Sequence, residues 1–220
     1  NKLNKKFDLK FPINILNIGG ITNITVATDW ENLWHINKIH AFDIGPGNCL
    51  IDEWIRKNSN KKYDSNGLIA KSGKIDKEIL DNAFKKYRNK KKLSLHTKDF
   101  DLSFVKNLSF EDGVATLTYF TSKILFTQLL KNLKKEKNKL WKVLVCGGGR
   151  KNNTLIQTIK DETSNKLVIQ LIDDYNVDGD FVESQAFAYL AIRSFINLPI
   201  SYPQTTGVLK PSSGGMIIKI

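Results

Sequence analysis

Cysteine and acid are the scarce commodities of this 220-residue chain. Cys49 and Cys146 are its only cysteines and lie far apart. Two such thiols build no disulfide framework, which excludes a small stapled secreted domain and suits a reduced, cytoplasmic setting. Acids number 22 against 34 lysines and arginines, a net charge of +12. No apolar run approaches the length of a membrane span, and no basic stretch leads into a short apolar one in the manner of a signal peptide. The nucleotide-binding pattern GxxxxGK[ST] is missing, and so is the full GxGxxG order opening a helix. Zinc-knuckle spacing and an aromatic-rich RNA-binding signature are absent too. His35, His40 and His96 show no metal spacing, so they read as structural or exposed and no protein metal ligand is expected. The chain opens on Asn1 rather than Met and runs almost at once into a strand, so an upstream part is expected.

What is present is a globular composition, 41% hydrophobic and 25% charged, enough for one large domain or two small ones. The excess lysine gathers in "KKYRNKKK" and "KNLKKEKNK", away from the glycine turns. That is the pattern of a solvated surface rather than of a nucleic-acid groove. β-Branched Ile13–Ile18, the pair Gly19-Gly20 and "ITNITVAT" read as strand, turn, strand. "LWHINKIHAFDIG" supplies another strand or two, and "NCLIDEWIRKN" a helix with Leu50, Ile51, Trp54 and Ile55 on one face. In "KIDKEILDNAFKKY" the expected apolar face is Ile75, Ile79, Leu80 and Phe84. The long apolar helix after Ser109 is expected to be mostly buried, with Ser109 and Asp112 forming a capping box. "KLWKVLVC" and "KLVIQLID" read as strands, "NTLIQTIKDET" and "GDFVESQAFAYLAIRSFI" as helices, and the tail as loop with a last short strand. Strands alternating with helices predict an α/β fold with ligands at the strand ends.

Three glycine turns follow apolar strands: "NIGGITN", "DIGPGN" and "CGGGRKN". Glycine admits positive φ and close ligand approach, and convergent amides attract an anion, most often phosphate. One such turn is common; three in one chain point to a nucleotide or a phosphorylated ligand. The stretch "FDIGPGNCLID" also sets Asp43 and Asp52 beside the freest backbone in the chain. Asp43 reads as a reactive carboxylate or as a turn cap, and Asp52, on the following helix, as structural. Cys146, in an apolar run, reads as a buried inert thiol; Cys49, in the loop, has no histidine near it in sequence.

"NILNIGGITNIT", "AFDIGPGNCLIDEWI", "VLVCGGGRKNNTLI", "DGDFVESQAFAYLAIR" and "PQTTG" stand in the order found in anhydro-N-acetylmuramic acid kinases. The sequence resembles that family, in the actin-like superfamily of ATPases and sugar kinases, from about Ile13 to Gly207. "DIGPGN" joined to "DGDFVESQAFAYLA" is the specific part; singly, the glycine motifs suit several kinases of the superfamily. The resemblance implies an α/β, actin-like (ribonuclease H-like) fold, mostly the second lobe of a two-lobe kinase. Residues 1–175 would form that lobe, and 176–220 a closing helix and terminal loop returning toward an upstream lobe. It implies ATP and Mg²⁺ as cofactors, and possible homodimers. The implied reaction is phosphorylation of O6 of 1,6-anhydro-N-acetylmuramic acid with water added at the anomeric carbon, giving N-acetylmuramic acid 6-phosphate.

The resemblance also implies roles. Asp43 would be the base that takes a proton from the attacking water. Gly45, Gly47, Asn48 and Glu183 would meet the sugar. Gly19 and Gly20 would meet the β- and γ-phosphates, and Gly147, Gly148 and Gly149 the adenosine. Asn17 stands where many superfamily members carry Asp, which removes a ready metal-linked group there. Glu183 reads equally as a helix N-terminal acid favoured by the dipole, and Asn152 as a helix cap. Thr205, Thr206 and Gly207 match the family's terminal loop. The upstream phosphate loop has no counterpart before Asn17, so these 220 residues alone are expected to bind ATP weakly and to turn over poorly or not at all. Another sugar or amino-sugar kinase of the same fold is the alternative, and a non-catalytic basic nucleic-acid-binding protein a weaker one.

Overall fold

A computed structural model describes residues 12–28, 39–88, 94–133, 141–163, 167–216 and 218. It places five strands in one sheet: β1 (Ile13–Ile18), β2 (Ile21–Ala27), β3 (Ile39–Pro46), β4 (Trp141–Cys146) and β5 (Leu167–Leu171), in the order β3-β2-β1-β4-β5. β2 pairs antiparallel with both β1 and β3, whereas β1–β4 and β4–β5 are parallel. Strands β1, β3, β4 and β5 therefore end at the same edge, and each expected glycine turn lies at that edge. Alternation fixes which side of the sheet is covered: along β1, Asn14, Leu16 and Ile18 are buried and the residues between them only partly so.

The helices are α1 (Cys49–Asn58), α2 (Leu68–Ser72), α3 (Lys77–Arg88), α4 (Phe110–Leu133), α5 (Asn153–Thr163), α6 (Val182–Phe195) and the single turn α7 (Pro203–Thr206). Helix α4 is apolar nearly all round because it separates two cores. Leu125 and Leu129 join Leu16, Ile18, Ile24, Val143 and Val145 of the sheet, with Leu155 and Ile159 of α5. Val114, Leu117, Phe120 and Ile124 join Leu50, Ile51, Trp54 and Ile55 of α1 and Leu80 of α3. Each fully buried leucine or isoleucine contributes about 1.5–3 kcal/mol, so α4 anchors both cores. The expected apolar face of α1 is the observed one.

Several details differ from expectation. The helix at residues 77–88 starts two residues after Ile75, which is exposed, and Ala83 and Tyr87 join its inner face instead. The capping box at Ser109 is half made. The Ser109 hydroxyl accepts from the Asp112 N–H at 3.2 Å, but the Asp112 carboxylate accepts from the Lys74 N–H at 2.6 Å. The Lys74 N–H thus takes the carboxylate that would otherwise reach back to the cap. The expected last short strand falls largely outside the described residues; in the described tail Ser201 and Ser212 form an isolated antiparallel bridge. His35 and much of both lysine clusters lie outside the described residues.

Helix α4 approaches α1 closely at Gly113. The Trp54 indole donates to the Phe110 carbonyl at 3.0 Å, and a Cβ on Gly113 would fall 2.5 Å from the indole ring. Gly113→Ala gains about 1 kcal/mol of helix propensity but overpacks the contact by about 1–3 kcal/mol. A net loss of stability is expected, read as a lower Tm by a few degrees; an unchanged or raised Tm would show that the indole simply moves aside.

Candidate functional site

At the common strand edge the turns after β3 and after β4 both pack on the β1–β2 hairpin. The Gly47 N–H donates to the Gly20 carbonyl at 2.9 Å, Asn48 N–H to Gly19 at 2.8 Å and Cys49 N–H to Gly20 at 3.2 Å. These bonds dock the turn after β3 onto the β1–β2 hairpin. The buried Thr22 hydroxyl adds a bond to the Pro46 carbonyl at 3.1 Å. From the other side, the turn after β4 presses on the end of β1. A Cβ on Gly147 would lie 2.2 Å from Asn17 Oδ1, and one on Gly149 would lie 2.2 Å from Ile18 Cγ2. Gly147 has φ 79°, which a side chain strongly disfavours.

The glycines divide by what surrounds them. Gly45 is packed against Ile124 and Leu125, and Gly47 against the Gly19 carbonyl, where a Cβ would come within 2.1 Å. Those two are required by the protein's own packing. Gly20 has nothing within 4 Å of a would-be Cβ, and Gly148 meets only Asn48 Nδ2 at 3.9 Å. Neither has positive φ. Among the described residues nothing demands glycine at 20 or 148, so their backbone is open on that side.

Asp43 lies in β3 immediately before a bulge: Asn23 pairs with Asp43, Thr22 with Gly45, and Ile44 is the extra residue. Bulges re-aim neighbouring side chains and are common beside active sites. Asp43 Oδ2 accepts from the Leu95 N–H at 3.0 Å and the Ser94 hydroxyl at 3.4 Å. It lines a cleft of about 1270 Å³ with Asn23, Ser94 and the Thr205-Thr206-Gly207 turn. Residues separated by most of the chain length thus share one cleft. The glycine turns themselves do not line it. A smaller cavity of about 290 Å³, walled by Tyr87, Phe100, Phe104 and Phe120, shares no residue with the turns or with Asp43.

Glu183 is exposed in the first turn of α6. Asn152 caps α5: its Oδ1 accepts from the Leu155 N–H at 2.9 Å. Burial pushes both cysteine thiols up to about 11, outweighing the backbone hydrogen bonds at Cys49 and the Arg150 charge at Cys146. Burial thus disfavours the thiolate at both positions. Sequence reading missed the Ser94–Leu95 anchor of Asp43, which loops back from a lysine-rich segment without a motif. It also missed Arg150, whose guanidinium is almost wholly buried against Asp173 and Asp180. The acid-rich "DDYNVDGD" was the available signal for it.

The sheet order with a single antiparallel inner strand, and glycine turns gathered at one strand edge, define an α/β fold of the actin-like, ribonuclease H-like class. The sequence model of the family "Anhydro-N-acetylmuramic acid kinase" matches residues 7–219, and the chain belongs to that family. It is 48% identical over 222 residues to the anhydro-N-acetylmuramic acid kinase of Pelagibacter ubique, covering 100% of this chain and 58% of that protein. It is 39% identical to that of Zymomonas mobilis (94% of this chain, 54% of that one) and 37% identical to that of Methylorubrum populi (94% and 52%). The chain spans a little over half the length of the curated relatives it matches. Among solved structures, component A of (R)-2-hydroxyglutaryl-CoA dehydratase from Acidaminococcus fermentans aligns with a TM-score of 0.47 and 16% identity. It covers 79% of this chain and 61% of that one, a likeness too remote to carry weight.

Asp52 offers a test of the electrostatics. Burial raises its pKa from 3.8 to about 6, opposed by Arg56 and reinforced by Asp64. The folded state thus holds this proton more tightly than the unfolded chain does. That contribution is full below about pH 4 and lost as pH rises through 6. Asp52→Asn should therefore stabilise the protein at pH 7.5 by about 1 kcal/mol, discounted because the group is half exposed. The gain should vanish at pH 4. Urea midpoints at the two pH values decide it; an equal effect at both would show that charge at Asp52 is not the cause.

Proposed function

We propose that this chain carries the water-activating base and two of the nucleotide-binding turns of an anhydro-N-acetylmuramic acid kinase. The observation that favours a nucleotide is the open backbone at Gly20 and Gly148, in turns that touch each other. Gly19 and Gly20 would give amides to the β- and γ-phosphates, and Gly147–Gly149 would lie against the adenosine. Close backbone approach suits both tasks. Gly45 and Gly47 shape the turn by packing, and Asn48, between the two turns, would reach the sugar or the terminal phosphate. Glu183 would hydrogen-bond the sugar from the start of α6.

The proposed reaction needs a proton acceptor and good positioning, and little else from the protein. Water attacks the anomeric carbon of the anhydro sugar while Asp43 takes its proton. The bond from that carbon to O6 breaks with its electron pair going to O6. O6 then forms the bond to the γ-phosphorus, and ADP leaves with the pair of the broken P–O bond. The bonds from Leu95 and Ser94 hold the carboxylate by one oxygen, which fixes its direction as catalysis requires. Among the described residues no group of three His, Cys, Asp or Glu could hold a metal ion. Mg²⁺ is therefore proposed only as the counter-ion of the nucleotide phosphates, and no step is routed through it.

Helix α6 supports the reading of a closing segment. Phe181, Phe187, Tyr189, Ile192 and Phe195 are each more than half exposed. Apolar surface of that extent marks an interaction face, and we assign it to contact with a second lobe like the one the longer relatives have room for.

The decisive assay joins the chain in frame to the part of the Pelagibacter ubique relative that it does not match. With MgATP and 1,6-anhydro-N-acetylmuramic acid in ¹⁸O-water, one labelled oxygen is expected at the anomeric carbon and phosphate on O6. Asp43→Asn should lower kcat by about 10²–10⁴-fold with nucleotide affinity kept. Phosphorylation without label would move the chain to an ordinary sugar kinase, and a near-normal rate for Asp43→Asn would remove Asp43 as the base.

A further inference from the structure

Arg150 follows the triple glycine and has a role that none of the motifs assigns. Its side chain is 5% exposed, and all three of its nitrogens are engaged. Nε and Nη2 donate to the two oxygens of Asp173 at 2.8 and 3.1 Å, a bidentate fork. Nη1 donates to Asp180 Oδ1 at 2.8 Å and to the Gly147 carbonyl at 3.2 Å. Asp178 lies 3.9 Å away, and Lys151 reaches the other Asp180 oxygen at 2.5 Å. The guanidinium lies so flat on the Asp178-Gly179-Asp180 turn that a Cβ on Gly179 would fall 2.3 Å from Nε. The Gly179 N–H in turn donates to Asp173 Oδ1 at 3.3 Å.

One planar cation thus bonds three separate segments. They are its own glycine turn after β4, the turn after β5 at Asp173, and the turn that leads into α6. Residues 178–180 lead directly into Phe181, the N-cap of α6, and Glu183 sits in the first turn of that helix. Without the cation, Asp173 and Asp180 lose the partner they share, and Lys151 stays paired with Asp180. Lysine cannot replace it: an ammonium makes no fork and cannot lie flat on a glycine.

We propose that Arg150 is a positioning residue that couples the Gly147–Gly149 turn to the N-terminus of α6. Ordering of the turn by a bound nucleotide is thereby passed to the helix that carries Glu183. The nucleotide side and the sugar side of the site are then linked by one guanidinium. The ligand-linked half of this proposal rests on the nucleotide reading of the glycine turn; the clamp itself does not. The clamp also explains why glycines and an arginine share the turn: Gly147 and Gly149 let the backbone close on β1, and the arginine holds it there.

Amide hydrogen exchange on the full 220-residue chain tests it, with MgADP as the probe. In the wild type, MgADP should slow exchange in both Gly148–Asn152 and Phe181–Gln185. In Asp180→Asn and Arg150→Lys, MgADP should still slow the first segment, and protection of the second should be lost. Val143–Val145 should keep their protection in both variants, which shows that the sheet is folded. Protection of Phe181–Gln185 surviving in both variants would overturn the coupling. If MgADP protects neither segment in the wild type, the nucleotide reading and the ligand-linked half fall together. The nucleotide-free arm then decides the clamp separately: Asp180→Asn must speed exchange in both segments together, and a change in one alone or in neither overturns it.

Discussion

The site depends on how near three stretches of backbone come to each other. Gly47 lies on the carbonyl of Gly19, Gly147 on the side-chain oxygen of Asn17, and Gly149 on Ile18, all at distances that leave no room for a Cβ. A bare α-carbon at these positions is a steric requirement before it is a functional one. The cost is conformational entropy, since glycine loses more freedom on folding than other residues. Three backbone hydrogen bonds and the buried Thr22–Pro46 bond offset part of it. The result is an edge on which, among the described residues, nothing crowds Gly20 or Gly148 and both are exposed.

Everything chemical is positioned from that edge. The turn after β3 is docked on the hairpin, so the bulge at Ile44 and Asp43 just before it have a fixed place in the strand. The turn after β4 is pressed on β1, so Arg150 emerges at one place and can hold Asp173 and Asp180 together. Asp173 and Asp180 are both held below their usual carboxylate pKa, Asp180 at about 2, by hydrogen bonding to Arg150 first of all. Both carboxylates therefore stay ionised near neutral pH, which suits their pairing with the guanidinium. The apolar faces of α4 and α1 supply the stability that lets such a glycine-rich edge exist.

Much of this was legible in the sequence. The alternation in β1 and β2, the apolar face of α1, the all-round apolar α4 and the three glycine turns were read from residue spacing, and the order of motifs carried the family. Local patterns cannot report what other segments do, and there the reading stopped. Ile75 has the right spacing for the inner face of α3, yet the Lys74 N–H bonds to Asp112 across the molecule and the helix begins after Ile75. Gly20 and Gly147 look alike in sequence, but only Gly147 has positive φ and a crowded α-carbon. Asp43 was singled out from its motif; its anchor at Leu95 lies about fifty residues away in a stretch with no pattern. Arg150 carries no sequence signal of its own, because its role comes from carboxylates in the turns after β5 and before α6.

The claim on which all of this stands is that the three turns form one ligand site and not three separate strand ends. Titrating the ¹⁵N-labelled chain with MgADP and following the backbone amides of Gly19, Gly20, Asn48, Gly148 and Gly149 measures it directly. The account predicts that amides from all three turns shift along one common binding curve. Shifts confined to a single turn, or curves with different midpoints, would contradict it.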